Sequence, residues 1–239
     1  AVMPTFSAQA ALGKMDELRT TLAGALRGVL LLAVPASLGL VLLRTPLIAM
    51  LYENGVTFTA QSTRMVAWAL LWYAAGLVGH SLLEVVVRAF YALKDTRTPV
   101  AVGAGAMGLN IAFSFLFAPL FARLGWMPHG GLALANSLAT ALEVSLLFFL
   151  LRRKLGGMGG RTILLAAGQA LLAAAGMGLF VGLWLAWGAA LPVWLLTVGG
   201  AALGGAAYGL FVLVLRVPEA RAVLHSILRR FTPDLTGLS

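Results

Sequence analysis

The pattern of apolar and polar positions divides the chain into six long apolar runs, over 25–43, 65–87, 100–121, 130–151, 163–187 and 193–215. Each is close to the roughly 20 residues that an α-helix needs to cross a hydrocarbon core of about 30 Å. Only Arg27, Glu84 and Glu143 are charged within them. The runs are continuous and are broken by Gly, Pro and charged clusters. A membrane barrel would instead show short alternating segments. The pattern therefore predicts an all-α, polytopic integral membrane protein with six transmembrane helices.

The connections carry further structure. Residues 14–21 read as a helix start feeding the first span, with Asp16 and Glu17 in its early turns. The stretch 45–52 is too short to cross and is expected to lie at the outer interface before a turn at Glu53, Asn54 and Gly55. The glycine-rich segment 156–162 marks the internal boundary. It divides a four-span part, 1–155, from a terminal helix pair with a basic tail, 163–239. The first residues carry no initiator Met and no signal-peptide layout, so the chain is expected to be the later part of a larger membrane protein. Small pairs at Gly24/Gly28, Gly178/Gly182 and Gly205/Gly209 are expected to let helices approach closely.

Charge fixes an orientation. Lys14, Arg19 and Arg27, then Arg88, Lys94 and Arg97, then Arg152, Arg153, Lys154 and Arg161, then Arg216, Arg221, Arg229 and Arg230 all fall in alternate connections or beside them. Only Arg44, Arg64 and Arg123 fall on the opposite side. The positive-inside rule then places both ends of the chain in the cytoplasm. It also explains the net charge of +9, 17 Lys and Arg against 8 Asp and Glu, with no need for nucleic acid. With 61% apolar and 10% charged residues there is too little polar material to cover a surface facing water. No Cys is present, which excludes a disulfide framework and a Cys nucleophile. Asp16, Asp95 and Asp234 fall in separate connections, and no metal cluster, phosphate loop or nucleophile elbow is present, so no enzyme and no metal site are expected.

The embedded polar residues are the candidates for function. The apolar run after Arg27, 28–43, would rise only about 24 Å as a helix, so the helix must continue back through Arg27 to span the core. Two readings follow. The guanidinium lines a wet cavity and grips phosphate as a permanently charged bidentate donor, or it snorkels as a positive-inside anchor. His80, Glu84 and Arg88 share one helix face, which suits a local Glu84–Arg88 ion pair or, with His80, a proton relay. Glu143 is expected to face the bundle interior or to be protonated, and is a further candidate for ion or proton coupling. Asn110, Ser114, Asn136 and Gln169 are expected to cross-link helices.

The string RAFYALKDTRTP at 88–99 resembles the hallmark of the MurJ (MviN) lipid II flippase family, of the multidrug/oligosaccharidyl-lipid/polysaccharide exporter superfamily. PLIAMLYENGVTFT at 46–59 and GLALANS at 131–137 resemble flanking segments of the same family. The resemblance implies the later portion of a MATE-like two-bundle transporter, with the N-terminal half missing. It implies a substrate of the lipid II class, a polyprenyl-pyrophosphate-linked saccharide, flipped across the bacterial inner membrane for peptidoglycan synthesis. It assigns Arg27 to an essential cavity arginine and the last two helices to a groove for the isoprenoid tail. It carries a monovalent-cation site to Asn110, Ser114 and Asn136. There Ser114 and Asn136 depart from the family's Asp and Thr, and losing an anionic ligand weakens a hard-cation site, so no cofactor is expected. The hallmark residues Arg88, Phe90, Tyr91, Asp95, Thr96 and Pro99 are assigned a structural role as turn and helix start. A related exporter of another polyprenyl-linked saccharide or of a drug, and a membrane scaffold for cell-wall enzymes, are the alternative functions.

Overall fold

A computed structural model of the chain describes residues 3–53, 55–215 and 217, so the expected turn at Asn54 and the tail arginines Arg216, Arg221, Arg229 and Arg230 lie outside the described residues. The described residues form seven helices: α1 (Met3–Ala11), α2 (Met15–Tyr52), α3 (Ala60–Ala92), α4 (Arg97–Arg123), α5 (Pro128–Leu155), α6 (Gly160–Trp187) and α7 (Val193–Val214). All but α1 are long and apolar enough to cross a membrane.

Helix α2 begins as its sequence dictates. Asp16 and Glu17 occupy the first turn, where the helix dipole favours negative charge. Each also takes a local ion pair, Asp16 with Arg19 and Glu17 with Lys14, both at 2.8 Å. The segment 45–52, expected at the outer interface, continues the same helix through Pro46. Leu43 and Ile48 are both buried along this uninterrupted helix. At 38 residues α2 is about 57 Å long, well beyond one hydrocarbon thickness. Pro35 has no N–H to give the carbonyl of Leu31 one turn back. The Tyr208 hydroxyl of α7 donates to that carbonyl at 2.6 Å and ties the last helix to the first long one.

Helix ends follow a common scheme. Past α5, Gly156 has φ +68, its N–H donates to Arg153 and that of Gly157 to Arg152, the paired bonds of a Schellman cap. Lys94 closes α3 in the same way at φ +58, as the only non-glycine with positive φ among the described residues.

The core gathers α2, α3, α5, α6 and α7 around Leu18, Leu22, Leu26, Val86, Phe90, Leu147 and Leu151, all fully buried or nearly so. Helix α4 packs chiefly on α5, whereas α6 and α7 pack on each other and on α2. The close approaches come from other glycines than the expected pairs. A Cβ on Gly76 would fall 2.7 Å from the Ser137 Cβ, and one on Gly131 would fall 2.6 Å from the Phe117 carbonyl oxygen. Gly24, Gly28, Gly182, Gly205 and Gly209 have nothing within 4 Å of such an atom, so spacing alone misidentified the contact. Of the six expected positions only Gly178 meets a neighbour, the Leu38 side chain.

Candidate functional site

Arg19, Ala23 and Arg27 follow one another at four-residue steps and so share a face of α2. That face forms one wall of a pocket of about 420 Å³, and Thr20, Gly156, Gly157, Met158, Gly159 and Thr162 form the rest. Arg19 and Arg27 therefore line the same pocket from one helix. The pocket lies at the charged end of the bundle. Asp16 pairs with Arg19 there, and Arg152, Arg153 and Lys154 fill the last turn of α5. Arg27 therefore stands in a protein-lined pocket at the polar end of its helix.

Within the pocket, Arg19 donates from one terminal nitrogen to Asp16, and its other terminal nitrogen lies beside Gly156. Its Nε is buried with no hydrogen-bond partner. The Thr162 hydroxyl donates to the Gly159 carbonyl at 2.7 Å. Gly156, Gly157 and Gly159 all have positive φ, a turn that side-chain-bearing residues resist. The pocket thus pairs two guanidinium groups with a glycine turn, chemistry suited to an anion with several oxygens.

A second, apolar groove of about 540 Å³ runs between α2, α6 and α7 past Pro35, Leu43, Met177, Val181, Gly204 and Tyr208. Gly200 and Gly204 open it, since a Cβ at either would press on Leu43 or Val181 at 2.9 Å.

The remaining candidates separate into four groups. Arg88 donates to Glu84 at 2.7 Å, the local ion pair that the spacing allows. His80 turns away from that pair to α5, where its Nε2 lies 3.2 Å from the Asn136 amide nitrogen and 3.4 Å from the Thr140 hydroxyl. Asn136 thereby belongs with His80, whereas Ser114 donates to Asn110 at 3.5 Å within α4. Glu143 borders a pocket between α4 and α5, with a carboxylate oxygen 3.2 Å from where a Gly103 Cβ would stand.

The hallmark segment is built as a joint. Phe90 is buried, Tyr91 is exposed, Thr96 is the N-cap of α4 and Pro99 is buried in its first turn. Asp95 accepts from the Thr98 N–H at 3.1 Å and hydroxyl at 2.9 Å, and from the Lys154 ammonium at 2.6 Å. Lys154 lies 59 residues away and gives no signal in the local sequence. Arg19 was legible only as positive-inside charge, yet its spacing from Arg27 already placed both on one face.

Six membrane-length helices with polar contacts threaded between them define a polytopic helical membrane protein. The family model described as lipid II flippase MurJ matches residues 1–196, and the chain belongs to that family. It is 37% identical over 129 residues to a lipid II flippase MurJ of Burkholderia cenocepacia, covering 54% of this chain and 24% of that protein. It is 31% identical over 147 residues to a probable lipid II flippase MurJ of Vibrio cholerae, covering 62% of this chain and 27% of that one. The chain thus aligns with about a quarter of the length of these relatives. A solved lipid II flippase MurJ in an inward closed conformation shares the fold at a TM-score of 0.71, with 22% identity, over 90% of this chain and 42% of that one.

Proposed function

We propose that this chain is the C-terminal part of a lipid II flippase. The complete protein acts as a transporter, moving an undecaprenyl-pyrophosphate-linked saccharide from the inner to the outer leaflet by alternating access. Family membership over residues 1–196 is the observation that carries this reading. The two site features support it. The pocket holding Arg27 supplies a charged, forked donor for a pyrophosphate, and the groove between α2, α6 and α7 offers apolar lining for a polyprenyl tail. The charge distribution supports a cytoplasmic position for that pocket and for both chain ends, in a bacterial inner membrane. The other partners are the N-terminal remainder of the same protein and membrane lipids. No bond is broken, so binding energy is needed only to change the side from which the headgroup is reached. Moving net charge with it would be assisted by the membrane potential, at about 2.3 kcal/mol per charge per 100 mV.

The test is growth of a bacterium depleted of its own flippase and supplied with the full-length parent. The parent and, weakly, Arg27→Lys should restore growth, and Arg27→Ala and Arg27→Glu should not. Full growth with all three variants would remove Arg27 from the transport site.

A further inference from the structure

The pocket that holds Arg27 has a second cation whose donors are only partly used. Arg19 gives one terminal nitrogen to Asp16 at 2.8 Å, and Asp16 is 94% exposed. Its other terminal nitrogen lies 3.3 Å from where a Gly156 Cβ would stand, so glycine there leaves room for the guanidinium. Its Nε is buried with no partner. A guanidinium edge formed by Nε and a terminal nitrogen is the fork that grips two oxygens of one phosphate. A buried donor left unsatisfied is costly, and a phosphate oxygen would satisfy it.

The surroundings select for negative charge. Arg152, Arg153 and Lys154 end α5 just before the pocket, and Arg161 follows just after it. Helix α6, 28 residues long, opens at Gly160 without a side-chain cap, so its first amides add to the positive end of the dipole. Asp16 is the acid paired with Arg19, and water screens its exposed carboxylate.

We propose that Arg19 is a second guanidinium arm for a pyrophosphate group, taken on the edge formed by Nε and the terminal nitrogen that Asp16 leaves free, while Asp16 partly neutralises the arm from the other nitrogen. This rests on the transport reading for the class of ligand. Arg19 and Arg27 line one pocket with the glycine turn at 156–159, so both arms face the same bound group.

The full-length parent in detergent micelles, titrated with undecaprenyl pyrophosphate, with phosphatidylglycerol and with inorganic pyrophosphate, provides the test. Arg19→Ala should weaken undecaprenyl pyrophosphate about tenfold or more and Arg19→Lys less, since Lys keeps the charge and loses the fork. Asp16→Asn should tighten binding severalfold, a gain that misfolding cannot mimic. Inorganic pyrophosphate should bind more weakly with the same order among variants, and phosphatidylglycerol should bind more weakly still. Unchanged affinity in Arg19→Ala, weaker binding in Asp16→Asn, or equal affinity for phosphatidylglycerol would each overturn the proposal. If Arg19→Ala fails to accumulate, Arg19→Gln and Asp16→Asn decide the matter. Weakened binding in Arg27→Ala alone overturns this inference and leaves the transport reading standing. Weakened binding in Arg19→Ala alone supports Arg19 and removes Arg27.

Discussion

The Tyr208 hydroxyl donates to the Leu31 carbonyl at 2.6 Å, and Leu31 is the residue whose helical partner is abolished by Pro35. The carbonyl that a proline leaves bare is thus satisfied by a tyrosine 177 residues after Leu31. Replacing Tyr208 with Phe leaves that carbonyl without its donor and should cost about 1 kcal/mol in unfolding free energy. In a Pro35→Ala background the restored N–H offers Leu31 a donor from its own helix, so the same change should cost less. Unfolding measured in detergent for both singles and the double gives the coupling, and strict additivity would contradict this pairing.

The joint between α3 and α4 predicts a pH dependence. The Lys154 ammonium, then the backbone N–H and hydroxyl of Thr98, lower the Asp95 carboxyl from 3.8 to about 2. A carboxyl whose pKa is depressed on folding stabilises the fold above its unfolded pKa. That contribution is lost as pH falls through the folded value. The thermal midpoint of the chain should therefore fall between about pH 4 and pH 2 more steeply than that of Asp95→Asn, which has no such proton to take up. Parallel curves for the two proteins would refute the assignment.

Lys94 holds a left-handed conformation at φ +58 that costs an L-residue about 1 kcal/mol and glycine almost nothing. Lys94→Gly should raise unfolding stability by about that amount, whereas Lys94→Ala should not. Equal effects of the two substitutions would show that the backbone there is unstrained.

Gly76 and Gly205 predict opposite outcomes for one chemical change. Alanine at Gly76 drives a methyl into Ser137 of α5 and should cost about 1–3 kcal/mol. Alanine at Gly205 meets nothing within 4 Å and should be neutral or slightly stabilising. Thermal unfolding of the two variants separates them.

The apolar middles of the six spans were legible because hydropathy reports what lipid requires. The polar ends were not, because a helix continues beyond the hydrocarbon as long as its backbone bonds are met. Met15 starts α2 ten residues before the apolar run beginning at Ala25. The stretch after Arg44 continues as helix, with Leu43 and Ile48 both buried along it. Local pairs such as Glu84 with Arg88 follow from helical spacing. Contacts between distant segments do not, so His80 with Asn136, Asp95 with Lys154 and Arg19 with Gly156 required the packed structure. Glycine spacing misled because a small residue permits an approach without compelling it.

Movement of the lipid itself tests the central claim most directly. In cells depleted of their own flippase, the full-length parent should bring the pyrophosphate-linked saccharide to the outer face, where an enzyme confined to that side can cleave it. Arg27→Ala, present in the membrane at equal amount, should leave it inside and Arg27→Lys should release a part. A parent that reaches the membrane and leaves the lipid uncleaved would contradict the account.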